Sequence, residues 1–438
     1  MNTRNIAQTH IFSAEAFPAS RTRFRRFANA FFKLFAAAIF TFSLPFSVAC
    51  NHAGAAAPHP ETNAPRAAQT TEKNNSQTEN LTTIPASGTV EHLFTHNLIS
   101  HPQIAFAAGN SYGKNLDEDC LTPKEFRAIL SALYKNGYAL VNATETFAET
   151  NGKTARVPFR FPAGRKPLIL SFDDVVYARK NQGKGTSSKL VLGENGEILA
   201  QTVFKDGSTK THGEEFAPIL EDFIKSHPDF SYHGARGIIF LTGFDGILGY
   251  RTDRNSENRA SEIENVKPVI AALKQNGWLF GCHTYSHRHI KRSTPQQIQD
   301  DIDKWKNEVE PLTGKTALFA YPYGEWVFGE NGGDERQKAL KNAGFSVFFG
   351  VGNLPFYTKM PLKSSGEKYL FQDRCPMDGI SLRKNACSRF FDCAAVYDAQ
   401  RPMSHNKYCY ATHNYYVRHS TKPFPCATQR KGFYIILY

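Results

Sequence analysis

Five short, almost wholly apolar runs, at residues 167–172, 237–242, 279–282, 318–321 and 345–349, most constrain the fold of this chain. Strands apolar on both faces are strands covered on both faces, as in a parallel sheet wrapped by helices. The segments between them carry helix signals. Thr122-Pro123-Lys124-Glu125 places Thr at the N-cap, Pro at the first helical position and Glu where a capping box needs it. Phe126, Ile129, Leu130, Leu133 and Tyr134 then share one helical face, and Gly137 follows the end. Thr294-Pro295-Gln296-Gln297 repeats that logic ahead of Ile298, Ile302, Trp305 and Val309. Further helices are expected at 216–224, 261–274 and 335–343, with the start of the second disturbed by Pro268, and a strand at 138–141. Alternating strands and helices predict an α/β fold with a parallel sheet or barrel. Asn195-Gly196, between 190–192 and 198–203, predicts a β-hairpin in an insert before the strand at 237.

The rest of the chain divides by composition. Arg21, Arg23, Arg25, Arg26 and Lys33 precede an apolar run at 34–48 that contains Pro45. That length suits a signal segment better than a membrane span. Ser47-Val48-Ala49 offers small residues for cleavage and Cys50 resembles a lipoprotein acceptor, so a lipidated, cleaved or anchored N-terminus is each open. All three place the remainder outside the cytoplasm. The expected domains are a signal segment at 1–49, a disordered linker at 50–88, a catalytic domain at 89–402 and an unpatterned tail at 403–438. The formal charge of +12 resides in the ends, +5 in residues 1–33 and +7 in residues 379–438, which argues against nucleic acid as a partner. No cysteine pair has the C-x-x-C spacing of a structural zinc knot.

Two clusters follow apolar strands. Ser171-Phe172-Asp173-Asp174 supplies adjacent carboxylates, and His283-Thr284-Tyr285-Ser286-His287 supplies two imidazoles four residues apart, which even one helical turn would aim the same way. Imidazole and carboxylate together suit zinc first, with cobalt, nickel or iron also fitting. Three protein ligands leave room for water, the arrangement of a hydrolase. Both carboxylates can serve one site only if the strand ends or bends between them. Asp173, His283 and Tyr323 all lie at strand C-terminal ends, where α/β folds keep their working residues.

In this order the motifs resemble the polysaccharide deacetylases, the NodB-homology group or carbohydrate esterase family four. That family's T-F-D-D becomes Ser171 to Asp174, its H-[S/T]-x-x-H becomes His283 to His287, and its P-Y-G becomes Pro322-Tyr323-Gly324 after Tyr321. The resemblance implies a distorted (β/α) barrel of the NodB type. It makes Asp173 the general base, Asp174, His283 and His287 the metal ligands, and the Tyr323 N–H a stabiliser of the oxyanion. Tyr321, Pro322 and Gly324 would help bind substrate, an acetylated polysaccharide such as peptidoglycan or a chitin-like polymer. Rival readings are an O-acetyl esterase and a catalytically silent glycan-binding protein of the same fold.

Two departures stand out. Where the family often has an arginine to orient the base, this chain has Ala320, and Arg374 is the expected substitute. The family's late L-x-H motif, the source of a proton-donating histidine, has no counterpart after Gly324, where His405, His413 and His419 lie in unpatterned sequence.

Overall fold

The computed structural model describes residues 80–327, 334–352, 358–361 and 368–402, with backbone alone for 358–361 and 368–369. The chain divides into units 1–74 and 75–438, and every described residue lies in the second. The expected signal segment, Cys50, the tail from 403 and its histidines fall outside the described residues.

The five expected apolar runs become strands of a closed parallel barrel, which two strands outside those expectations, the first and the last, complete: β1 (Glu91–Thr95), β2 (Lys166–Asp173), β3 (Ile238–Leu241), β4 (Leu279–Cys282), β5 (Leu318–Ala320), β6 (Val347–Val351) and β7 (Lys368–Pro376). Each strand pairs with the next in sequence, and β7 closes the ring onto β1 through Cys375 beside Leu93 and Pro376 beside Phe94. The barrel is distorted at β2. Its C-terminal half pairs with β3, while its N-terminal half pairs with an extra strand, Tyr138–Leu140, that lies outside the ring.

Strand alternation sorts the side chains into two cores. Ile169, Ile238, Phe240, Leu318, Ala320, Val347, Phe349 and Leu370 fill the barrel. Leu168, Leu170, Phe172, Ile239, Leu241, Phe319 and Phe348 face outward into the layer under the helices. Gly281 of β4 follows from that inner packing, because a Cβ there would come within 2.3 Å of the Phe240 ring.

The expected helices form: α1 (Pro123–Lys135), α2 (Phe216–Ser226), α3 (Arg259–Gln275), α4 (Pro295–Glu308) and α5 (Glu335–Asn342). Both expected capping boxes form, at Thr122 with Glu125 and at Thr294 with Gln297. Helix α3 begins at Arg259 and runs through Pro268 without a break. That proline is on the exposed face, so the hydrogen bond it removes leaves a carbonyl that water can reach. Among the described residues no helix is long and apolar enough to cross a membrane.

Two expectations need adjustment. The expected linker at 50–88 ends sooner, because Leu81–Ile84 pairs antiparallel with Phe159–Pro162. Leu81 and Ile84 pack against the inner core, which gives this stretch a reason to be a strand. The predicted hairpin forms between Lys189–Leu192 and Ile198–Val203, and Thr209–His212 adds a third strand to it. Leu190, Ile198 and Ala200 carry this insert into the main core.

Glu215 ties the segment after β1 to the start of α2. Its carboxyl is buried and accepts the Leu98 N–H at 2.7 Å and the Phe216 N–H at 3.0 Å. Burial outweighs these bonds and raises its pKa from 4.5 to about 7. The folded chain therefore holds a proton that the unfolded chain has lost between those two values. Glu215 should cost least stability below pH 4.5, with stability falling as pH rises to about 7. That loss is on the order of 3 kcal/mol. Glu215→Gln should flatten this part of a Tm-against-pH profile, and an unchanged slope would refute the assignment.

Candidate metal and catalytic site

The site is assembled at the C-terminal mouth of the barrel from the ends of β1, β2, β4 and β5. Strand β2 ends at Asp173, and Asp174 adopts a left-handed backbone with φ of 56°. That break lets consecutive carboxylates face one site, the condition their adjacency imposed. Asp173 is buried at the top of the barrel interior, whereas Asp174 turns toward the mouth with its side chain 29% exposed.

His283 follows β4, and its Nδ1 donates to the Ala320 carbonyl at 2.9 Å. A carbonyl only accepts, so the tautomer is settled and Nε2 keeps its lone pair for a metal. Burial lowers the His283 pKa to about 4 despite the nearby Asp173 and Asp174 carboxylates, so the ring is a neutral ligand at ordinary pH. His287 brings Nε2 to 3.4 Å from Asp174 Oδ2. No helical turn joins the two histidines. Thr284 and His287 both adopt left-handed backbone, with φ of 57° and 51°, and the bent loop turns the rings to 5.0 Å between centroids.

That loop is held from below by Asp301 of α4, which sequence reading did not single out. Its buried carboxylate accepts the N–H groups of Tyr285 at 2.6 Å and Ser286 at 3.3 Å, and also the Ser286 hydroxyl. The Thr284 hydroxyl accepts the Arg288 N–H at 3.0 Å and closes the loop above it.

One ligand atom from each of Asp174, His283 and His287 lies within 4.8 Å of the others. Asp174 Oδ1 is buried with no hydrogen-bond partner, a costly state for a carboxylate oxygen unless a cation completes it. The donor set and the orphaned oxygen both fit a divalent metal. Zinc suits two imidazoles and one carboxylate.

Arg374 occupies the place left by Ala320. Its Nη1 and Nη2 donate to the two Asp173 oxygens at 2.7 and 2.8 Å, from a fully buried position on β7. Burial opposes ionisation of Asp173, but the Arg374 charge, His283 and the paired hydrogen bonds prevail and hold its pKa at about 2.

A histidine that sequence reading did not single out, His96, lies directly after β1 at this mouth. Its Nδ1 donates to the Asp119 carbonyl at 2.8 Å, which leaves Nε2 as the exchanging nitrogen. Burial lowers its pKa, yet the Asp174, Asp173 and Asp119 carboxylates together raise it. His96 lines a cavity of about 380 Å³ with Asp174, His287, Tyr323 and Phe244, and the insert contributes Lys180, Asn181 and Thr186 to its wall. The available signal was a histidine ending an apolar strand. Barrel closure then sets that strand between β7 and β2.

The turn after β5 is only partly as expected. Tyr323 has left-handed backbone with φ of 58°, and its exposed ring stacks on His289 at 3.8 Å and covers His287 at 4.4 Å. Tyr321 does not reach the site. It shares the outward face of β5 with Phe319, is fully buried, and donates its hydroxyl to Gln337 of α5. Pro322 is buried as well, and Gly324, with φ of 65°, packs against Val351. These residues shape the turn and offer little surface to substrate.

Residues 248–347 match the profile of the family described as polysaccharide deacetylase. No curated protein matches the chain in sequence. Among solved structures, a Bacillus anthracis protein designated a polysaccharide deacetylase is 15% identical, with 66% of this chain and 65% of that one covered and a TM-score of 0.38. The Streptococcus pyogenes deacetylase PplD is 14% identical, with 67% and 94% covered and a TM-score of 0.37. A de-N-acetylase from Aggregatibacter actinomycetemcomitans is 13% identical, with 66% and 94% covered and a TM-score of 0.34.

If Asp301 organises the ligand loop, Asp301→Ala should lower zinc affinity about 10- to 100-fold, as loss of outer-shell support does elsewhere. Titration against a chromogenic chelator reads this directly, and wild-type affinity in a folded variant would refute the role.

Proposed function

We propose that this chain is a polysaccharide deacetylase, a reading supported by the match of residues 248–347 to that family's model, and that it is a metal-dependent hydrolase removing N-acetyl groups from an extracellular amino-sugar polysaccharide. The observation that carries this reading is the Arg374-locked carboxylate of Asp173 beside the Asp174, His283 and His287 ligand set. The export reading rests on the basic and apolar segment ahead of Cys50, with peptidoglycan or a chitin-like polymer as the substrate class nearest to hand.

A divalent cation held by Asp174, His283 and His287 would polarise the acetyl carbonyl and make the attacking water more acidic. Asp173 then takes the water's proton. Its low pKa makes it a weak base, which suffices once the water itself has been acidified. The Tyr323 N–H is assigned to the developing oxyanion. His96 delivers a proton from Nε2 to the leaving amine, with Nδ1 anchored on Asp119.

The surface around the mouth supports a sugar polymer. Among the described residues the exposed large hydrophobic side chains are Phe244, Tyr323, Trp326 and Val351. Phe244 and Tyr323 line the cavity itself, and Trp326 follows Tyr323 by three positions. Flat apolar faces beside polar groups suit the alternating apolar and hydroxyl surfaces of a pyranose chain.

The test is acetate release by the full-length chain from acetylated chito-oligosaccharides, peptidoglycan and acetylated xylan, with and without added zinc or cobalt. Metal-dependent acetate from the amino-sugar substrates supports the proposal. Release from xylan alone would make the protein an O-acetyl esterase, and no release from any substrate would refute hydrolysis. Asp173→Asn should abolish turnover with metal still bound, whereas His283→Ala should lose the metal. His96→Asn should lower kcat by about 100-fold or more, the range for removing a general acid. That loss should shrink for substrates with better leaving groups. Unchanged kcat would place the acid elsewhere.

A further inference from the structure

Beneath Asp173 the barrel interior holds a polar layer that the proposed chemistry leaves unused. His92 on β1 brings Nε2 to 2.9 Å from Ser171 Oγ on β2, and Nδ1 to 3.2 Å from Gln372 Oε1 on β7. Gln372 Nε2 donates to the Val90 carbonyl at 2.7 Å. At the other end, Arg374 Nη1 donates to Ser171 Oγ at 3.1 Å as well as to Asp173. His92 is 2% exposed, and Ser171, Gln372 and Arg374 are fully buried.

Every proton in this chain has one allowed place. The Val90 carbonyl only accepts, so Gln372 turns its nitrogen there and its oxygen toward His92. That oxygen also only accepts, so His92 carries its proton on Nδ1 and presents a lone pair at Nε2. Reasoning from the opposite end reaches the same atom. A guanidinium only donates, so Ser171 Oγ accepts from Arg374 and must give its own proton elsewhere, to His92 Nε2. Burial, followed by the Arg374 charge, drives the His92 pKa well down, in keeping with a neutral ring.

We propose that His92 is a positioning residue whose Nδ1-protonated tautomer orients the Ser171 hydroxyl to receive Arg374 and so fixes the guanidinium fork on Asp173. The proposal rests on the reading of Asp173 as the base of the deacetylase. With Ser171 in place, four of the five guanidinium protons are engaged, by Asp173 twice, by Ser171 and by the Gly350 carbonyl at 3.2 Å. Deprived of His92 Nε2, the serine proton has to turn toward the guanidinium it now accepts from. The fork then loses one of its fixed points.

The first test needs no activity. In the full-length chain labelled with ¹⁵N-histidine, the His92 signals, assigned by their loss in His92→Phe, should show a protonated Nδ1 and a bare Nε2 across neutral pH. A protonated Nε2, alone or with Nδ1, overturns the proposal. The second test is kinetic. Ser171→Ala and His92→Phe should each lower kcat on the order of tenfold, since small displacements of a catalytic group are costly. KM and zinc content should stay at wild-type values. Ser171→Thr, which keeps the hydroxyl and matches the family's usual residue, should restore kcat. Equal loss in Ser171→Thr and Ser171→Ala, or full kcat in both Ser171→Ala and His92→Phe, overturns the positioning role while wild-type acetate release leaves the deacetylase reading intact. An inactive wild-type chain removes that reading, and the positioning role with it.

Discussion

The buried fork between Arg374 and Asp173 is the constraint to which the rest of the site answers. Moving a guanidinium and a carboxylate out of water costs several kcal/mol per ion, and direct attraction repays it only with excellent geometry. Here both carboxylate oxygens are taken at 2.7 and 2.8 Å, and the guanidinium carbon lies 4.2 Å from the Phe94 ring centre and 5.2 Å from that of Phe240. The aromatic faces, the Gly350 carbonyl and Ser171 absorb what the pair leaves over. The fork also divides the barrel. Around it lies apolar packing centred on Phe240 and Phe349, below it the polar layer of His92, Ser171 and Gln372, and above it the polar mouth. Loss of either partner would strand a charge in that interior, which links the geometry of the site to the stability of the barrel.

The strands end in backbone that few residues tolerate. Asp174, Thr284, His287 and Tyr323 all have positive φ, and such positions cost on the order of 1 to 3 kcal/mol each when the residue is not glycine. They persist because the surroundings over-determine them. Asp301 grips the histidine loop, and Gly324 and Val351 wedge the turn after β5. The same turns redirect side chains that a regular strand would send to opposite faces. Backbone strain here is the means by which consecutive residues reach one site.

Much of this was legible in the chain itself, and what was not has physical reasons. The apolar runs, the capping boxes at Thr122 and Thr294 and the Asp and His clusters are local patterns, and each fell where its pattern put it. Arg374 was identifiable only as a basic residue after a strand, with no local mark of its partner 201 positions away. His96 was missed because the donor was sought late in the chain. In a ring, the end of β1 is as near the site as the end of β7, and closure is a property of the whole sheet. Tyr321 was misassigned although period-two alternation was enough to place it, since it shares a face with Phe319. Asp301 carries no motif, because no sequence pattern marks the N–H groups and the serine hydroxyl that it holds.

The two adjacent carboxylates take different parts because different charges reach them first. Asp173 has a guanidinium on both oxygens, so a second cation at the same carboxylate would meet like charge at short range in a medium that screens poorly. Asp174, one residue on and rotated toward the mouth, keeps Oδ1 without a partner and lies beside the imidazoles of the site. A divalent cation would therefore be steered to Asp174. Each carboxylate oxygen has two lone-pair positions, so Asp173 can accept a proton without releasing Arg374. In the proposed chemistry it is the arginine that makes one of two identical side chains the base and leaves the other as the ligand.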